Sequence, residues 1–294
     1  MVQKYQVNIY KDVNYFSFSA NTNNNLHISN APIWTKRPYI LWGYRNKQSY
    51  KECINSIFQI HNEFGNIWTH LIGVFIFMFL FVKNIIYPID IPYYRLTSSI
   101  YILSCIFMFG SSSFFHLISS NSSLVYERAL RVDIIGITAI TISTYIVGIR
   151  YCLWCYTDIA HIYYIIIGFL GFIAIGWSLI PSLIKNFTFS VCFFALFTSF
   201  SLIIIYHWFI IIGESGYEQK DVFLWKYLNT YITYAIGFIF FFTGFPERMF
   251  PGRLDFIGHS HQIWHILIVL GTIQYYIAIK AYATYWSSNY CIAY

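Results

Sequence analysis

Seven mostly apolar runs, separated by short polar stretches, set the pattern of this chain. They fall at approximately 67–87, 97–119, 131–149, 159–181, 188–212, 224–244 and 259–282. Each is near the ~20 residues that a helix needs to cross the hydrocarbon core of a bilayer. The pattern predicts an all-α membrane protein with seven transmembrane helices over 67–282. Pro88, Pro92, Pro181, Pro246 and Pro251 mark the connections. Residues 31–66 mix aromatic, apolar and charged side chains. Within them Cys53, Ile54, Ile57, Phe58 and Ile60 recur near helical spacing, which predicts an amphipathic juxtamembrane helix on the membrane surface. Residues 1–30, with "SANTNNNLH", are polar and asparagine-rich and are expected to form a disordered arm. Residues 283–294 are left as a short tail.

Composition agrees. Hydrophobic residues make up 57% and aromatic residues 22%, while only 10% are charged, against roughly 25% in an ordinary soluble domain. The net charge of +6 does not point to nucleic acid, because the basic residues are scattered between the apolar runs. They read instead as topology signals. With a cytosolic N-terminus, twelve Lys and Arg fall on the cytosolic side: seven before residue 52, then Arg128, Arg131, Lys185, Arg248 and Arg253. The other side holds six: Lys83, Arg95, Arg150, Lys220, Lys226 and Lys280. The bias places the N-terminus in the cytosol and the C-terminus outside, the reverse of a G-protein-coupled receptor. The start of the chain, "MVQKYQVNIYKDVNYF", shows no signal peptide, so the first span is expected to direct its own insertion. The six cysteines form no metal-finger pattern, and "CLWC" (152–155), lacking a surrounding βαβ unit, is read as ordinary packing or a local loop feature.

On this topology four polar clusters meet at one leaflet: "HNEFGNIWTH" (61–70), "SSSFFH" (111–116), "RVDIIG" (131–136) and "HSHQIWH" (259–265). His261 and His265, at i and i+4, share one helix face. Both imidazoles can reach one metal ion, and His116 can add a third nitrogen. Three histidines with one open position is the plan of a catalytic zinc site. Zinc leads among metals because imidazole suits it and no thiolate or haem signature is present. Asp133 either positions and deprotonates a zinc-bound water, or pairs with Arg131, or caps its helix. Ser112 lies one turn before His116, close enough to hydrogen-bond at the site. His61, His70 and His259 are expected to be hydrogen-bonding residues rather than ligands. His161 and His207 fall near the opposite face.

At these residues the chain resembles the progestin and adipoQ receptor family, over roughly 38–282. "SIFQIHNEFGNIWTHLIG" carries Glu63, Asn66, Thr69 and His70 in register with the family's entry to the first helix. "SSFFH", "RVDIIGI" and "PERMFPGRLDFIGHSHQIWH" supply the remaining motifs in order, with Ile134 where the family usually has tyrosine. "RPYILWGYR" looks most like the adiponectin-receptor branch, and "IGHSHQIWHI" nearly as much like a Golgi branch that retains Raf kinase. The resemblance implies an inside N-terminus. It also implies zinc held by His116, His261 and His265, with Asp133 near the bound water. The same plan is similar to that of alkaline ceramidases.

Three functions are therefore expected to compete. The first is a membrane receptor for a lipid or protein hormone, linked to lipid-metabolism signalling. The second is an integral-membrane zinc hydrolase of a ceramide-like lipid amide, and the two can be one protein. The third is a scaffold that tethers a cytosolic adaptor or kinase through the 1–65 arm. The expected setting is the plasma membrane or the Golgi membrane, with a fatty-acid-like or ceramide-like lipid in the bundle.

Overall fold

The computed structural model describes residues 25–291, apart from 88–89, 92, 214–215 and 290. The described residues are helical, with no strand among them. The long helices are α1 (Phe64–Ile86), α2 (Tyr94–Ile118), α3 (Ser123–Cys152), α4 (Thr157–Leu179), α5 (Phe187–Ile211), α6 (Tyr217–Thr243) and α7 (Ser260–Ser288). All except α6 are long and apolar enough to cross a membrane. Helix α6 has 27 residues, but its first turns carry Glu218, Lys220, Asp221 and Lys226. The protein is thus a multi-pass membrane protein. Its outer faces fit that setting, because Phe75, Phe79, Ile165, Phe169, Phe172 and Leu196 are all exposed. In water such a surface would be costly; against acyl chains it is matched.

Helix α7 is the hub, packing against α6, α1, α2 and α3. Two glycines allow the approaches that matter for the site. A Cβ on Gly65 would lie 2.5 Å from Gln262 Cδ, so glycine lets the first turn of α1 meet the first turn of α7. A Cβ on Gly136 would lie 3.0 Å from Met108 Cα, so glycine lets α3 close onto α2 one turn from Asp133.

Some boundaries differ from the pattern. Helix α3 begins eight residues before the expected 131, because the Ser122 hydroxyl accepts a hydrogen bond from Val125 N and caps it there. Helix α7 continues to Ser288, through part of the expected tail. The predicted amphipathic helix is short. A capping box of Ser49 and Glu52 starts a helix over Tyr50–Asn55, and a 3-10 turn over Ser56–Phe58 ends it. Cys53 is buried, whereas Ile54, Phe58 and Ile60 face outward.

The described residues begin at 25, inside the expected 1–30 arm; residues 1–24 lie outside them. Leu26 pairs with Tyr44 through backbone hydrogen bonds, and Ile28, Ala31, Ile40, Leu41 and Tyr44 form a small core. This segment runs beneath one end of the bundle as a strap. Arg45, itself buried, donates to the carbonyls of His116 (2.6 Å) and Leu117 (2.7 Å), satisfying the last turn of α2. Trp34 Nε1 donates to Ser119 O at 3.1 Å. Asp255, from the α6–α7 connection, accepts from the backbone N–H groups of Leu41 (3.0 Å) and Trp42 (2.8 Å). Burial pushes the Asp255 carboxyl up to about 6, against the pull of those two hydrogen bonds.

The opposite end is held differently. Cys155 and Cys291 form a disulfide, so "CLWC" is not an ordinary packing feature. Cys152, three residues earlier, stays a buried thiol. Arg150 lies over the rings of Tyr93 (4.1 Å) and Trp154 (4.2 Å). Trp154 stacks on Trp286, whose Nε1 donates to Tyr151 O at 2.8 Å.

Candidate metal centre

Three histidines meet where the strap, the last turn of α2 and the first turns of α1 and α7 converge. His116, His261 and His265 each offer one ring nitrogen, and these atoms lie within 4.8 Å of one another. The i, i+4 spacing puts His261 and His265 on one face of α7, with ring centroids 4.6 Å apart. His116, from the last turn of α2, brings its Nε2 to 3.3 Å from His261 Nε2.

The other ring nitrogens of two of these histidines are occupied. His116 Nδ1 lies 2.8 Å from Glu63 Oε2. A carboxylate accepts only, so the proton sits on Nδ1 and leaves Nε2 bare. His265 Nδ1 lies 3.2 Å from Asn66 O, which fixes the same tautomer, and Thr69 Oγ1 is at the same distance. Metal-binding histidines are held in this way, with the far nitrogen donating to a carboxylate or carbonyl. The donor set therefore fits an imidazole-bound metal such as zinc.

Glu63 is the hub of the surrounding charge. Its oxygens also accept from Arg37 Nε (2.8 Å) and Asn66 Nδ2 (2.5 Å). Burial would raise this carboxyl, but Arg37 and His116 outweigh it and hold it well below the usual carboxylate range. His61, just before α1, accepts from Glu63 N and sits against Ser56 O. Burial, aided by Arg45, pushes its imidazole down to about 3.

The remaining candidates divide. Asp133 is partly exposed on α3, with the buried Ser112 side chain of α2 beside it. It lies ten residues inside α3, so it caps nothing, and among the described residues no ion pair joins it to Arg131. His259 stands apart from the cluster at the N-cap of α7, with Nε2 at 3.4 Å from Asn62 O. The α7 N-terminus is instead held by Glu247, which accepts from Ser260 N at 2.7 Å and also from its hydroxyl. His70 departs from expectation. It is fully enclosed, stacks on His265 at 3.6 Å, and neither ring nitrogen has a protein partner. His207, on α5, pairs with Tyr163 OH of α4 away from the cluster.

Glu247 and Arg45 carry no spacing signal. Glu63 was visible only as part of the "HNEFGN" motif, without a role.

The family model described as haemolysin-III related matches residues 58–276. An uncharacterised protein of Schizosaccharomyces pombe is 32% identical over 88% of this chain and 59% of its own length. Heptahelical transmembrane protein 1 of Arabidopsis thaliana is 33% identical over 82% of this chain and 75% of its own. The adiponectin receptor protein of Drosophila melanogaster is 28% identical over 88% of this chain and 60% of its own. The chain thus spans about three fifths of the length of two of these relatives.

Proposed function

Since this chain belongs to the haemolysin-III-related family, which is the progestin and adipoQ receptor family, we propose that it is a zinc-containing, seven-helix membrane receptor with ceramidase-like hydrolytic capacity. Three points of topology support the reading. Helix α6, 27 residues long, packs against its neighbour α7, which supports counting it as a seventh span despite its polar start. One relative is named heptahelical. Disulfides persist in oxidising compartments, so Cys155–Cys291 supports an outward-facing disulfide end and a cytosolic strap.

The observation that carries the metal assignment is the tautomer of two histidines. Glu63 and the Asn66 carbonyl take the Nδ1 protons of His116 and His265, leaving both Nε2 lone pairs free beside His261. His116, His261 and His265 would hold zinc, which supplies Lewis-acid polarisation of a carbonyl when bound. Hydrolysis of an amide joins the oxygen of water to the carbonyl carbon, breaks the C–N bond and returns a proton to the departing nitrogen. Asp133, steadied by Ser112, is the group that takes and returns that proton. His116 and His265 are buried in the bundle, a setting that suits a lipid substrate. The receptor half of the reading rests on the fly relative's name and on the family.

The test is metal analysis of the purified chain, followed by a lipid-amide hydrolysis assay on Asp133→Asn. Zinc should stay bound while turnover falls by about 100-fold or more, the scale for losing a positioned base. Unchanged hydrolysis in a folded, zinc-loaded Asp133→Asn protein would remove the hydrolase half of the proposal. A wild-type protein that takes up no metal would remove the zinc.

A further inference from the structure

We propose that Glu63 is the positioning residue that sets the metal affinity of His116, and that Arg37 holds Glu63 in that role from the strap. The inference rests on the zinc reading above and goes beyond it by naming what tunes the site.

The three histidines are not equivalent. His265 leans on a backbone carbonyl, and the hydrogen bond recorded for the His261 ring is to His116. His116 alone has a charged partner, 2.8 Å away. A carboxylate raises the basicity of the imidazole it holds and fixes the ring's rotation, and removing such a partner weakens metal binding by about 10–100-fold.

Glu63 is in turn fully committed. Oε1 takes Arg37 Nε at 2.8 Å, and Oε2 takes Asn66 Nδ2, His116 Nδ1 and, at 3.4 Å, Arg37 Nη2. The Arg37 side chain is 24% exposed, that of Glu63 7% and that of His116 1%. The three residues thus form a line from solvent to the candidate ligand. Arg37 does not float at the outer end of this line: its backbone N–H donates to Tyr44 OH at 2.9 Å, within the strap core. The strap grips the same ligand helix through Arg45, which donates to the His116 carbonyl. A shift of residues 34–45 therefore changes both the support of the His116 ring and the end of the helix that carries it.

A purely structural role is the competing account, in which buried Glu63 only pairs with Arg37. The two accounts differ in what they move. A structural ion pair changes the melting of the metal-free protein; a positioning residue changes zinc affinity and the ligand field.

The experiment uses the full chain in detergent micelles, with zinc affinity measured by competition against a chromogenic chelator. Melting of the metal-free form and the visible spectrum of the cobalt-substituted form are recorded alongside. Glu63→Gln keeps the size and one acceptor, so it remains testable if Glu63→Ala fails to fold. Zinc affinity should fall by about 10–100-fold in Glu63→Ala, and Glu63→Gln should lie between it and wild type. Arg37→Gln should fall in the same direction, and His259→Ala should match wild type. The cobalt spectrum of Glu63→Gln should differ from wild type. Wild-type zinc affinity and an unchanged cobalt spectrum in Glu63→Gln, in a protein that loses zinc on His116→Ala, would overturn this inference and leave the zinc site standing. Retention of zinc by His116→Ala would overturn the zinc site itself, and this inference with it.

Discussion

The two ends of this bundle solve the same problem with opposite chemistry. At the histidine end, the helix termini are fixed by hydrogen bonds to buried charges: Arg45 on α2, Glu247 on α7, and Glu63 between Arg37 and His116. At the other end, a disulfide and a stack of aromatic rings around Arg150 do the holding. Hydrogen bonds to charged groups are directional, and breaking one leaves a buried charge unsatisfied. Ring stacking tolerates local adjustment, and the disulfide ties its two segments together without a buried charge to satisfy. The first arrangement suits a site whose atoms must stay in register. The second suits a face that only has to stay closed. The lesson is that precision is concentrated at one end, about 38 Å along α7 from the other at 1.5 Å per residue.

Four measurements can break or sharpen this contrast. The largest effect is expected from the ligands themselves. Alanine at His116, His261 or His265 should strip most of the zinc, because two remaining imidazoles hold the ion poorly; alanine at His259 should not. Zinc lost from His259→Ala and kept by His261→Ala would reverse the register assigned to α7. The next effect belongs to the other end. Cys291→Ser opens a loop with a sequence separation of 136 and should destabilise the protein by about 2–4 kcal/mol. Its zinc content should match wild type. Joint loss of stability and zinc would show that the two ends are not independent.

The third measurement is pH. His61 has a folded value of about 3 against an unfolded value of 6.5, so it contributes stability that is lost as pH falls below 6.5. Asp255 has a folded value of about 6 against 3.8, so its burial weighs on the fold as pH rises through that range. His259, pushed down to about 4 by burial and Arg37, loses stability with falling pH in the same way as His61. Between about pH 4 and 6 Asp255 therefore offsets only part of the loss, and the melting temperature should fall gently. Glu63 adds its own loss only below 4.5, since its folded value lies under that. Asp255→Asn removes the offset, so the variant's melting temperature should fall more steeply as pH falls from 6 to 4. A flat profile in the variant would show that His61 and His259 titrate outside the fold's control. The smallest effect is an expected absence. The sequons at Asn121 and Asn186 lie at connections on the histidine end. With that end in the cytosol they should carry no glycan, and mass spectrometry finding one would invert the topology.

The sequence made the histidine end legible and the disulfide end nearly opaque, for a physical reason. Apolar runs mark spans because a bilayer demands length and hydrophobicity of each helix separately. The i, i+4 pair on α7 is local, so His261 and His265 could be read as one face. His116 entered because the expected topology brings the end of its span to the same leaflet as that pair. Contacts between distant segments left no comparable trace. Cys155 has a partner 136 residues away, and nothing in "CLWC" points to it. Residues 25–30 of the strap read as part of the polar arm because they carry only Ile28 of its small core, with Leu26 packed against it. The early start of α3 was masked by Glu127, Arg128 and Arg131, charges that lie beyond the apolar run yet continue the helix.

The disulfide has a consequence in time as well as in space. Four helices, α4 to α7, lie between its two cysteines. At about 5–20 residues per second, Cys155 leaves the ribosome roughly seven to twenty-seven seconds before Cys291. Its thiol has no partner until the last helix is through the membrane. The bond therefore records that the last helix has been made: a chain stalled in α5 or α6 still carries a free Cys155, which a thiol-reactive label would find.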